Sequence, residues 1–408
     1  MSQVNAHQAP PSRVPLSATL SILLISSLTV MANATIAPSL PGLQAHFADT
    51  PGIETLSGLI LTLPSLFVVF TAGLIGMMAD RLNRRPLIVA AMVLYAMGGL
   101  TGLLADSMTG MLAGRVVLGL GVAGTMTLAS AYAGTLWHGE ARERFIGLQV
   151  AAMNVGGIIF MITGGVLAGL SWRAPFAIYM IALPMAVFAW IALARVPGRA
   201  SDGAPAPTGG AGEGPQSFPW LIYAWIGGMA FLLMSTFYTL PVKVPFVLRE
   251  LGVENTTYVG IILAGVTAAS VPGALGYGLI RRYADPRAIM SVGFITLGLG
   301  IVIVGSAQSV PMVALGVLVT GASLGPNFPN FMAFFLSRVP AAQRGRASGL
   351  MTTAVFAGQF ASPLVAAPLI AAFGLHNGIV MVGILPIIAG VTVGLVTLGH
   401  RARRTAEA

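Results

Sequence analysis

The 408-residue chain is 56% AVILMFWYC and 8% charged, against the roughly 25% charged residues of an average soluble domain, which excludes an ordinary water-soluble globule. Its net charge of +9 is carried by basic residues scattered over short segments, with no basic face interleaved with aromatics, so nucleic acid is not an expected partner. With no cysteine, disulfides, thiolate metal sites and cysteine nucleophiles are excluded.

Residues 1–16 form a polar tail rich in Pro and Ser. They lack the short apolar core and small-residue cleavage site of a signal peptide, so the apolar run starting near Ser17 is expected to remain as a first span. A membrane helix needs about 20 apolar residues. Such windows predict spans at 17–41, 54–79, 86–105, 108–136, 144–170 and 174–195, then at 220–248, 256–281, 287–306, 310–337, 345–373 and 377–399. The expected fold is an all-α membrane protein of twelve transmembrane helices. A first six-helix bundle covers 17–195, a second covers 220–399, and a tail follows over 400–408. Between the bundles, 196–219 carries SDGAPAPTGGAGEGPQ, a composition that cannot bury apolar surface and reads as a flexible cytoplasmic linker.

Charge asymmetry orients these spans. With the N-terminus inside, 17 of the 21 Lys and Arg residues fall on the cytoplasmic side. Only Arg173 and Arg249 lie in outer loops, Lys243 lies near an outer helix end, and Arg115 alone sits within a span. Translocating basic loops is unfavourable, so the alternation supports both the span count and cytoplasmic termini.

The two halves read as copies. A single constant offset lays Arg142, Arg144, Gly147 and Leu148 onto Arg344, Arg346, Gly349 and Leu350, Gly119 onto Gly321, and Gly156 onto Gly358. Matches in separate spans at one offset indicate an internal repeat. Two related six-helix halves joined by a loose linker point to a rocking transporter with its site between them.

The turn after span 2 reads Gly76-Met-Met-Ala-Asp80-Arg81-Leu-Asn83-Arg84-Arg85. It resembles the G-x-x-x-D-R-x-G-R-R signature of the major facilitator superfamily, with Asn83 where the family usually has Gly; Asn also tolerates a left-handed backbone. The resemblance implies a gating role for Gly76, Asp80, Arg81, Arg84 and Arg85: the Gly permits close helix approach, and the Asp helps latch the cytoplasmic gate in the outward-facing state. The loop from Gly276 to Arg287 is a degenerate copy, with Arg281, Arg282 and a displaced Asp285. Trp172-Arg173-Ala-Pro-Phe176 resembles the W-R-x-x-F found before span 6 in many members. Span 4 carries Arg115-Val-Val-Leu-Gly119-Leu-Gly121, similar to the family's R-x-x-x-G-x-G element, implicated in coupling in proton-driven antiporters. A charge inside a membrane helix costs about 2.5–3.5 kcal/mol on insertion scales, so Arg115 is expected to act, either in proton coupling or as the reader of an anionic substrate.

No Asp or Glu lies in the middle of any predicted span. Many exporters of cationic drugs that this chain resembles carry such an acid, so its absence favours neutral, amphipathic or anionic cargo and leaves Glu54, Asp80 or a histidine such as His46 to carry protons. The substrate cavity is expected to use polar and aromatic residues near the midplane: Asn33, Asn154, Tyr238, Asn327, Asn330 and Gln359, with Phe237 and Phe331 as stacking walls. Pro38, Pro64, Pro329 and Pro363 loosen helices for bending.

Span 5, Gly156-Gly-Ile-Ile-Phe-Met-Ile-Thr-Gly164-Gly165, keeps the flanking glycines of an exporter motif without its central Gly-Pro. Spans 7 and 11 resemble a bacterial drug- and siderophore-exporter branch. No phosphate-binding loop, metal-ligand cluster or catalytic motif appears, so neither a cofactor nor enzymatic catalysis is expected. The sequence thus predicts a secondary transporter of a bacterial inner membrane, exporting small amphipathic compounds by proton antiport, with a monomer sufficing. The alternatives are uptake of an organic anion or neutral solute by symport, and a non-transporting membrane sensor.

Overall fold

The computed structural model describes residues 14–198, 218–340 and 343–406, the stretch 400–406 as backbone only. The tail over 1–13 and most of the predicted linker lie outside the described residues. Among the described residues eleven helical runs are long and apolar enough to cross a membrane, and the last, Arg344–Gly399, does so twice. Its 56 residues would extend about 84 Å as one helix, far beyond a hydrocarbon core of about 30 Å. Gly374, at φ 78° and ψ 172°, breaks it into spans 11 and 12. The result is a multi-pass membrane protein of twelve helical spans in two six-helix bundles.

Several spans are interrupted where the sequence disfavours a regular helix. Span 1 runs Leu16–Ala34, turns through a short 3-10 segment at Ala37–Ser39 containing Pro38, and resumes over Leu40–His46. Span 6 opens as a 3-10 stretch, Ala174–Ile181, before Ala182–Ala192. Span 7 divides into Trp220–Phe237 and Thr239–Glu250, and span 8 into Thr256–Leu275 and Tyr277–Tyr283. Spans 2, 3, 4, 9 and 10 are Ile53–Arg81, Arg84–Leu104, Met108–Leu136, Pro286–Gly305 and Val310–Leu336. Span 5, Gly139–Leu170, begins more than a turn before the predicted 144, because Glu and Arg form helix well although they are charged and end an apolar window. The final helix likewise continues to Ala406, through most of the predicted tail.

The repeat is visible in the packing. A Cβ on Gly98 would lie 2.7 Å from the Gly114 carbonyl oxygen, and one on Gly300, at the repeat-related pair, would lie 2.7 Å from that of Gly316. Gly119 abuts the Pro64 backbone, and its repeat mate Gly321 abuts the Val266 backbone. Close approach without a side chain lets the backbones pack directly, the main source of helix attraction in lipid. Helix starts repeat too: Asn83 Oδ1 accepts from the Arg85 amide at 3.0 Å, and Asp285 Oδ1 from the Arg287 amide at 2.8 Å.

The halves meet along spans 5 and 8 and along spans 2 and 11. Their tight contacts lie away from the basic loops. Thr256 donates to the Gly165 carbonyl at 2.6 Å and Arg249 to that of Pro41 at 3.3 Å, while a Cβ on Gly58 would meet Pro363 at 2.8 Å. Thr62 reaches the Phe360 carbonyl at 3.4 Å. At the basic end the halves part. Among the described residues a Cβ on Gly73, Gly345 or Gly349 would meet nothing within 4 Å, and one on Gly76 only Thr127 of its own half, at 3.9 Å.

Candidate functional site: a cavity between the halves

Where the halves part, a cavity of about 310 Å³ opens between them. The first half contributes Asn33, Leu61, Asn154 and Met161; the second contributes Met234, Phe237, Tyr238, Thr267, Phe328 and Gln359. Among the described residues no charged side chain lines it. The Tyr238 hydroxyl has the Asn33 and Gln359 side chains as polar neighbours, and its ring meets Phe237 edge-on at 5.2 Å. Both amides approach that hydroxyl, but Asn33 Oδ1 and Gln359 Nε2 are buried and neither has a partner in good hydrogen-bond geometry. Buried polar atoms are ordinarily satisfied, so an unpaired acceptor and an unpaired donor on a common wall mark where a ligand can bond.

Five of the eight predicted cavity residues thus share one wall system: Asn33, Asn154, Phe237, Tyr238 and Gln359. Asn327, Asn330 and Phe331 do not. Asn327 donates to the Ser323 carbonyl at 2.8 Å and fills the space left by Gly293. Asn330 donates to the Pro286 carbonyl at 2.9 Å and accepts from the Tyr277 hydroxyl at 3.4 Å. Phe331 packs edge-on against Phe294 at 6.1 Å. Their spacing of 327, 330 and 331 is one helical stripe, and it faces the second half's own core. Phe328, off that stripe, faces the cavity together with Leu324 one turn before it. Its position between two stripe residues was the available signal. Met161, Met234 and Thr267 carried none, since such residues fill most spans.

Arg115 is fully buried and lies outside the cavity walls. It is caged instead within the first bundle. Nη1 donates to the Tyr179 hydroxyl at 3.2 Å and Nη2 to the Gly99 carbonyl at 3.4 Å. The guanidinium lies 4.9 Å from the Phe176 ring centroid and 5.2 Å from that of Tyr179. Phe176 belongs to the Trp172–Phe176 motif, whose Arg173 pairs with Asp106 at 2.7 Å. Among the described residues Arg115 has no carboxylate partner, and its Nε is unpaired. Tyr179 passes the contact on by donating to the Ala32 carbonyl at 2.7 Å, immediately before cavity-lining Asn33.

At the basic end the turn between spans 2 and 3 splits its charges. Arg84 is buried and plugs a notch, donating to the carbonyls of Ala79 at 2.9 Å and Ala131 at 3.2 Å and to Thr135 Oγ1 at 2.5 Å. Arg85 donates to the Trp190 carbonyl at 2.8 Å and stacks on the Trp190 ring at 3.9 Å. Arg81 is exposed, and so is Asp80, whose carboxylate sits 3.8 Å from Arg84 Nη2 and, among the described residues, makes no ion pair with the second half. At the opposite end Glu54 lines a second cavity of about 620 Å³ with Lys243, and His46 stacks on Trp172 at 4.9 Å.

The sequence model of the Major Facilitator Superfamily matches residues 22–283 and 224–407. The class C tetracycline resistance protein of Escherichia coli is 25% identical over 367 residues, 86% of this chain and 89% of its own. The multidrug efflux pump Tap of Mycolicibacterium fortuitum is 28% identical over 138 residues, 34% of each chain. A bacterial homolog of the human lysosomal transporter Spinster, inward-facing and occupied, superposes with a TM-score of 0.75 at 18% identity, over 93% of this chain and 96% of its own. The inward-open xylose transporter XylE of E. coli superposes at 0.71 and 16% identity, over 92% of this chain and 94% of its own. At such identities the structural likeness speaks to the fold alone.

Proposed function

The chain belongs to the Major Facilitator Superfamily, and from that premise we propose that it is a proton-coupled exporter of small, uncharged amphipathic compounds. It works as a monomer in a bacterial inner membrane, with both termini in the cytoplasm. The observation that carries the reading is the wall chemistry of the central cavity: apolar and aromatic surface, no charge, and one unpaired donor and acceptor at Gln359 and Asn33. Such a wall suits a compound with a hydrogen-bonding group on an otherwise apolar frame. The tetracycline resistance and multidrug efflux relatives support the outward direction. The basic end, taken as cytoplasmic by the charge rule, is the open end, which suits loading from inside. Uptake of an organic anion drew on Arg115 as a charge reader, and Arg115 lies outside the cavity wall. Asp80, the residue expected to latch the cytoplasmic gate, is unlatched here, in keeping with that open state.

The test is accumulation of a panel of uncharged dyes, tetracycline and labelled organic anions in efflux-deficient cells. Wild-type protein should lower accumulation of uncharged compounds, and a protonophore should restore it. Gln359→Leu should weaken export by about tenfold while raising thermal stability, because it removes a binding group that is otherwise an unsatisfied buried amide. Higher accumulation of any panel member in wild-type cells, sensitive to the protonophore, would overturn the export reading.

A further inference from the structure

The second half holds a basic cavity that the transport cycle described above does not use. It measures about 880 Å³ and lies at the basic end, among the turn after span 8, the start of span 9 and the ends of spans 10 and 12. Arg281, Arg287 and Arg338 line it. Among the described residues none of the three makes a salt bridge. The one carboxylate in the wall, Asp285, is engaged in capping span 9 through the Arg287 amide. Arg338 is held over Phe334 at 3.5 Å and Arg281 donates to the Ala284 carbonyl at 3.1 Å, so both guanidiniums are positioned and keep further N–H groups free. Partial burial, and then the nearby Arg287, hold the Arg338 guanidinium below its ordinary pKa, with Asp285 opposing. Cations crowded in this way are stabilised by a bound anion, and the guanidinium fork suits phosphate oxygens.

A second observation names the source of that phosphate. A slot of about 190 Å³, lined by Trp225, Val393 and Val396, adjoins the basic cavity and shares Arg287 and Thr397 with it. Its walls come from spans 7 and 12, and Val396 is 51% exposed, on the surface that faces the bilayer. A basic bowl continuous with an apolar slot at the membrane surface has the two-part shape of a lipid. We propose that this site binds an anionic glycerophospholipid, its phosphate among Arg281, Arg287 and Arg338 and an acyl chain along the slot beside Trp225. Basic pockets between helices at the cytoplasmic surface bind acidic headgroups by this chemistry.

The experiment is native mass spectrometry of the purified full chain in detergent, with phosphatidylglycerol or phosphatidylcholine of the same acyl chains added. Phosphatidylglycerol should be retained about tenfold more strongly than phosphatidylcholine. Arg287→Gln with Arg338→Gln should reduce its retention about 25-fold, at about fivefold for each arginine near an anionic surface. Replacing both with Lys should keep most of it, and Arg144→Gln, an exposed charge on the first half, should change nothing. Thr392 also lines the slot, and Thr392→Trp narrows it without touching a charge; it should weaken lipid retention and also keeps the test decisive if the double variant fails to fold. Equal retention of the two lipids, or retention unaltered by both the double variant and Thr392→Trp, would overturn the proposal. Displacement of phosphatidylglycerol by equimolar glycerol 3-phosphate or inorganic phosphate would also overturn it, making the bowl a site for soluble phosphate.

Discussion

Arg115 occupies the space between spans 3, 4 and 6 of the first half, and at the repeat-related position the corresponding place is held by Val317, also fully buried. Arg84 plugs the notch between the ends of spans 2 and 4, and its counterpart is Pro286, beside which the notch widens into the arginine-lined bowl. The walls correspond as well: Ala131 and Thr135 touch Arg84, and their repeat mates Ala333 and Ser337 line the bowl. The glycine contacts that set the helix spacing are nonetheless the same in both halves. Backbone and charge have therefore diverged separately. The duplicated scaffold needs small residues at fixed places, whereas among the described residues the buried guanidiniums, Arg84 and Arg115, both lie in the first half.

The sharpest way to break this comparison is to give the first half the apolar interior of the second. Arg115→Met keeps most of the volume and removes the charge. If the charge is there for coupling, protonophore-sensitive export should be lost by at least about tenfold. Thermal stability should be unchanged or higher, since replacing buried ionic groups with apolar ones of similar volume is neutral or stabilising by about 1–4 kcal/mol. Export assays paired with thermal unfolding in detergent check both. Full export with lowered stability would make Arg115 a structural brace, and the asymmetry would lose its functional meaning.

The two notches offer the next largest difference. Arg84→Ala leaves the Ala79 and Ala131 carbonyls and Thr135 short of a donor in a buried site, an expected loss of about 3 kcal/mol in unfolding free energy. Arg287→Ala in the second half removes a guanidinium that makes no salt bridge among the described residues and should cost less than about 0.5 kcal/mol. Similar losses for the two would mean that the halves use these arginines alike. Gly98→Ala and Gly300→Ala probe the opposite claim, that the scaffold is shared. Each places a methyl against a facing backbone, so both should destabilise by about 1–3 kcal/mol and to a similar extent.

How much of this was legible in the sequence depends on which physical signal each feature leaves. Apolar windows located all twelve spans, because lipid demands about 20 apolar residues whatever the packing. The same windows passed over helix that lies outside the apolar core, such as Gly139 to Glu143, but they did place the break between spans 11 and 12 at Gly374. The repeat was readable because Gly119 and Gly321 serve the same contact. In the site, polarity within a span picked out Asn33, Asn154, Tyr238 and Gln359 without telling which way a helix face turns. Asn327 and Asn330 are as polar as these and serve the second bundle's own core. Arg115 stood out as a buried charge; its separation from the cavity depends on Phe176 and Tyr179, which belong to a different span and lie far from it in sequence.

Asp80 should show the smallest effect on stability and the most specific effect on conformation. Its repeat counterpart is Arg282, so the charge is inverted between the two turns. In the open state Asp80 is 74% exposed and 3.8 Å from Arg84, an arrangement that contributes little. Asp80→Asn should therefore change unfolding free energy by less than about 0.5 kcal/mol. If the carboxylate latches the basic end only when that end closes, the same substitution should lengthen the time spent open. The chain has no cysteine, so a single cysteine can report on this directly. Placed at position 73 or 349, where an added Cβ meets nothing within 4 Å, it would react with a membrane-impermeant maleimide applied from the cytoplasmic side. Asp80→Asn should speed that reaction, by about two- to fivefold for a latch of about 0.5–1 kcal/mol. Since the substitution leaves the open state's contacts almost unaltered, a faster reaction can come only from the closed state losing a contact. An unchanged rate would assign Asp80 to the same minor role as the exposed arginines around it.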